Sequence, residues 1–65
     1  MSHEITLQQA ADKAVLAETI ALLLEEYPGE LPPTQAGMTI NLIRRLCGEA
    51  ACWLLEEQML REAKQ

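Results

Sequence analysis

Apolar positions recur at helical spacing along most of the chain. Leu7, Ala10, Ala14, Ala17, Ala21 and Leu24 alternate gaps of three and four, an a/d-type seam whose middle is all alanine. A second stripe follows Leu16, Ile20, Leu23 and Tyr27, and Val15 and Leu22 add apolar surface elsewhere. Further on, Ile40, Ile43, Cys47, Ala50 and Leu54 form a third stripe. Leu42, Leu46 and Trp53 widen it on one side, and Ala51, Leu55 and Met59 on the other. Asn41, Arg45, Glu49 and Glu56 mark a solvated side, with Arg45–Glu49 and Glu57–Arg61 as i,i+4 pairs. No strand-like alternation or internal repeat interrupts this pattern.

The boundaries follow from local chemistry. Thr6-Leu7-Gln8-Gln9 fits a capping box, in which Thr6 accepts from an amide three residues on and Gln9 reaches back. Helix 1 is expected from about residue 7 to 27, where Pro28-Gly29 stops it. Pro32 and Pro33 hold the chain extended, so the connection is expected over 28–34. Thr34 is the candidate cap for helix 2, with Thr39 as the alternative, and the helix is expected over about 35–63. Gly48 is its interior interruption. A lone Gly costs only ~1 kcal/mol against Ala, which favours one continuous helix over a break there.

A surface helix packing on one partner needs an apolar stripe of only about 100°. Both helices here carry more. A lone hairpin has one inter-helix face and cannot bury two stripes per helix, whereas two hairpins can. The expectation is therefore an all-α single domain spanning 1–65, an antiparallel helical hairpin pairing into a homodimeric four-helix bundle. The expected dimer interface is Ala14, Ala17, Ile20, Ala21, Leu24, Ile43, Cys47, Ala50 and Leu54. Tyr27, Trp53, Met59 and Arg44 are the candidates for contacting another protein, with Trp53 the largest anchor.

Composition sharpens this picture. At 65 residues the chain is one domain at most, too small for an enclosed active site, and 49% of it is hydrophobic. Ten acidic side chains against five basic ones argue against nucleic acid, for which Arg44-Arg45 is the sole basic cluster. No apolar run is long enough to span a membrane, and Met1-Ser2-His3-Glu4 lacks the features of a signal peptide, so the expected location is cytoplasmic. Cys47 and Cys52 fall on separated helix faces and read as reduced, partly buried residues. His3 reads as a frayed terminal residue, Ser2 has no base beside it, and the pairs Glu25-Glu26 and Glu56-Glu57 do not converge on one atom. No nucleophile–base pair, metal-ligand set or phosphate loop is present, so no catalytic residue, metal or cofactor is expected, and the chain does not read as an enzyme.

The runs Ala14-Val15-Leu16-Ala17-Glu18-Thr19-Ile20 and Asn41-Leu42-Ile43-Arg44-Arg45-Leu46, followed by a final helix that turns from polar to apolar, resemble the AriR/YmgB family of small enterobacterial biofilm and stress regulators. The likeness covers residues 14–60, and the Pro28-Gly29 and Pro32-Pro33 connection departs from it. It implies an all-α dimer acting as a small regulator or connector, and it transfers no residue role. The functional expectation is a regulatory or adaptor protein working through a helix face, the alternative being a structural or chaperone-like subunit of a larger assembly.

Overall fold

The computed structural model describes residues 3–64, so the expectations that touch Met1, Ser2 and Gln65 lie outside the described residues. It holds two helices, α1 (Leu7–Glu25) and α2 (Pro33–Ala63), packed against each other with no strand among the described residues. The all-helical hairpin is as the apolar spacing requires. The molecule is a rod of 51 × 18 × 16 Å.

The first boundary forms as its residues dictate. Thr6 is extended, its hydroxyl accepts from the Gln9 amide at 3.1 Å, and the Gln9 side chain accepts from the Thr6 amide at 2.9 Å. That reciprocal pair satisfies two donors that a helix start otherwise leaves orphaned. At the other end the Glu26 and Tyr27 amides donate to Leu22 and Leu24 carbonyls, and Pro28 ends the helix. No described residue adopts a positive φ, so the reversal is made by the prolines and not by a left-handed Gly29.

The start of α2 differs from expectation. Pro32 is the N-cap and Pro33 the first helical residue, with the Ala36 amide donating to the Pro32 carbonyl at 2.9 Å. Pro suits that position, because its missing N–H would be unpaired there and its fixed φ is already helical. Thr34 therefore lies inside the first turn and does not cap. Thr39 is interior as well, its hydroxyl donating to the Gln35 carbonyl one turn back at 2.8 Å.

The inter-helix seam follows a strict alternation of three and four. On α1 the residues withdrawn from water are Ala10, Lys13, Ala17, Ile20 and Leu24. On α2 they are Ala36, Thr39, Ile43, Leu46, Ala50, Trp53, Glu57 and Leu60. The Lys13–Glu49 ion pair at 2.7 Å and the Trp53–Ile5 hydrogen bond fix the antiparallel register. In that register Ala10 lies at the level of Trp53, Ala17 at the level of Leu46, and Ala50 at the level of Lys13. Each small residue faces a large one, which is how interdigitated cores fill space. Among the described residues only Ala10, Ala17 and Ala50 are buried.

Helix α2 runs unbroken through Gly48, which points away from α1, and a β-carbon built there meets nothing within 4 Å. Its glycine thus costs helix stability with no packing return. Gly48→Ala is expected to stabilise the fold by about 1 kcal/mol, a rise of roughly 4–8 °C in melting temperature for a domain of this size. Thermal unfolding followed by circular dichroism at fixed concentration checks it; an unchanged or lowered midpoint would show that the position is in contact after all.

Candidate interaction surfaces

With 31 residues against 19, α2 outruns α1 by several turns. Residues 3–6, just before α1, lie against α2 near its open end. The Trp53 indole Nε1 donates to the Ile5 carbonyl at 3.1 Å. The His3 ring stacks on the indole with ring centres 4.3 Å apart and planes 20° from parallel. His3 Nδ1 lies 2.9 Å from Glu56 Oε1, and Nε2 lies 2.9 Å from Glu57 Oε1. The other Glu57 oxygen accepts from Arg61 Nε at 2.8 Å. His3 keeps 13% of its side-chain surface in water, so it is a docked residue and not the frayed end expected from its position.

The charge state of this clasp follows from donor counting. A neutral imidazole has one N–H, and here both ring nitrogens face carboxylate oxygens, so both bonds form only in the imidazolium. The Glu57 hydrogen bond, helped by Glu56 and opposed by desolvation, holds the His3 pKa above its ordinary 6.5. Arg61 first, then His3, holds Glu57 below the usual carboxylate range. Lys13 does the same to Glu49, with Arg45 a distant contributor. The ion pair expected between Arg45 and Glu49 is thus taken by Lys13, which crosses from the facing helix, while the Glu57–Arg61 pair forms as expected.

The expected interface residues divide between two surfaces. Ala17, Ile20, Leu24, Ile43 and Ala50 line the seam within the hairpin. Ala14, Ala21, Cys47 and Leu54 lie outside it and are exposed. Of the expected partner contacts, Tyr27, Met59 and Arg44 are exposed, whereas Trp53 is half-buried between the seam and the His3 ring. Tyr27 stands at the turn and Trp53 and Met59 toward the open end, so the four do not form one patch. Cys47 and Cys52 are free and both exposed, not partly buried, because each sits beside the seam and not on it.

What remains uncovered is large. Leu7, Val15, Leu16, Leu22, Leu23, Tyr27, Met38, Ile40, Leu54, Leu55 and Met59 are all exposed. On one flank of the hairpin an open depression is lined by Glu4, Ile5, Lys13, Arg45, Glu49 and Trp53, a mixture of both charges. Among the described residues no group of three His, Cys, Asp or Glu is arranged to hold a metal ion, and no described helix is long and apolar enough to cross a membrane. No known protein family, curated protein or solved structure matches the chain.

The clasp has a defined pH window. His3, with a raised folded pKa, contributes its full stabilisation below about 6.5, and that is lost as pH rises through the raised value. Glu57, with a lowered pKa, contributes above 4.5, and that is lost as pH falls through the lowered value. Emission from Trp53, the chain's one tryptophan, is expected to change as pH rises past the raised His3 value, with the imidazolium quenching below it. His3→Gln should abolish that transition; a transition that persists in the variant would place the titrating group elsewhere.

Proposed function

We propose that this chain is a non-enzymatic regulatory or adaptor protein that works as a homodimer, its two hairpins forming a four-helix bundle that presents a helix face to another protein. The observation that carries the reading is an excess of exposed surface. The chain has 5377 Å² of solvent-accessible surface. A compact monomer of 7.3 kDa exposes about 4,200 Å² by the scaling of folded surface with mass. The surplus, roughly 1,200 Å², exceeds the ~800 Å² that each partner buries in an interface of ordinary size.

Several features support the same reading. The surplus surface is rich in Leu, Ile and Met, and patches of that composition on soluble chains mark association sites. No disulfide, and among the described residues no metal cluster, supplies the stability that so small a core lacks. The likeness to small helical regulators rests on the residues quoted for it and implies the same class. After a dimer forms, the surface around Leu23, Tyr27 and Met38 at the turn end remains for a second protein.

Sedimentation equilibrium at micromolar concentration is expected to give twice the 7.3 kDa chain mass. A helical, stable monomer would overturn the homodimer, and a chain that is insoluble until co-expressed with another protein would favour a subunit of a larger assembly. Tyr27→Ala combined with Leu23→Ser should leave the dimer intact and abolish retention of the partner in a pull-down. Retention unchanged by both substitutions would remove the turn end from the binding surface.

A further inference from the structure

Exposed apolar residues lie on both flanks of the rod, Leu16, Leu23 and Leu42 on one and Leu7, Ile40 and Leu54 on the other. On α1, Leu7, Ala14 and Ala21 recur every seven residues just outside the seam. On α2, Ile40, Cys47 and Leu54 do the same. Seven-residue spacing keeps each set on one line along its helix when the seam itself has a 3.5 period. In the antiparallel register the two lines fall on the same side of the hairpin, and Leu7 and Leu54 do line one depression there. The face therefore has three rungs: Leu7 beside Leu54, Ala14 beside Cys47, and Ala21 beside Ile40. Leu7, Ile40 and Leu54 are 63%, 61% and 63% exposed. No charged residue belongs to the rungs; the charged groups lining the same depression, Glu57, Arg61 and Glu62, stand beyond the Leu7–Leu54 rung toward the open end. The flank on the other side carries Glu49 and Glu56, which a bundle interior would have to desolvate.

We propose that a second copy of this chain packs on this face, head to tail, with the turns at opposite ends and the two-fold axis through the middle rung. The inference rests on the homodimer reading and specifies its geometry. Three observations select a second copy in this orientation. The third rung pairs a small residue with a large one, so a copy turned end for end sets Leu7 over Ala21 and Leu54 over Ile40, while the Ala14–Cys47 waists meet and let the helices approach. The whole chain's surplus over a compact monomer, roughly 1,200 Å², is enough for one interface of ordinary size. The charges lie unevenly as well: Glu18, Glu25, Glu26 and Glu30 crowd the turn half, and no Lys or Arg occurs from residue 18 to 43. Turns at the same end would press these carboxylates together, whereas turns at opposite ends set them against the less lopsided end, where Arg61 and Lys64 stand among Glu4, Glu56, Glu57 and Glu62.

The arrangement puts the two copies of Cys47 opposite each other at the axis and leaves Cys52 on the outside. Mild oxidation of the whole chain, followed by electrophoresis without reductant, is therefore expected to shift most of the protein to twice its mass. Cys52→Ser should preserve the shift and Cys47→Ser abolish it. Independently, Leu54→Arg should halve the mass found by sedimentation while circular dichroism still shows helix. A wild-type dimer that cross-links only through Cys52, or through neither cysteine, would overturn this face and leave the homodimer standing. A wild-type chain that sediments as a monomer would overturn the homodimer itself.

Discussion

Two helices lying side by side can each give one stripe to the other, and that limit governs everything else in this molecule. The stripe is filled by setting small against large: Ala10 with Trp53, Ala17 with Leu46, Ala50 with Lys13. Such pairing brings the helices close, but it leaves three alanines as the only buried residues among those described. An alanine core removes little apolar area from water, so the hairpin gains little from its own interior. The capping box, the proline start of α2 and the cross-helix ion pair at Lys13 fix the register and the ends without enlarging that core. The unspent apolar area lies outside the seam, and the reading of the chain as an associating protein follows from where it lies.

Much of this was legible in the sequence. The capping box at Thr6, the stop at Pro28 and the continuity through Gly48 are local matters, and local chemistry decides them. The division of apolar residues between seam and surface was only half legible. Ala10, Ala14, Ala17 and Ala21 read as one seam because gaps of three and four suit neighbouring stripes almost equally well. The missing signal is Lys13, a charged residue that sits half-buried on the seam while its ammonium reaches Glu49. A reading that admits only apolar residues to the seam skips that position and slides toward Ala14. The same holds on α2, where Thr39 and Glu57 complete the repeat.

The His3 clasp was illegible for a different reason. Nothing in the first six residues is periodic, so position alone suggested an unheld terminus. The pointer was elsewhere: a second helix much longer than the first, with Trp53, Glu56 and Glu57 near the level where α1 begins. Once the two lengths are compared, something must cover that stretch, and the segment before Leu7 is the chain nearest to it. Comparing element lengths is a long-range inference, and composition and periodicity do not perform it.

The clasp also has a place in time. The hairpin can zip from its turn, each new seam contact closing a loop barely longer than the last. The bonds from His3 to Glu56 and Glu57 and from Trp53 to Ile5 join residues 53, 54 and 48 positions apart. Made before the helices pair, contacts of that separation would carry the greatest closure entropy among those described, and they have no surface to close upon until the helices are already paired. The imidazole therefore settles on the indole as the last act of folding, and the first opening on the way out is at the same place.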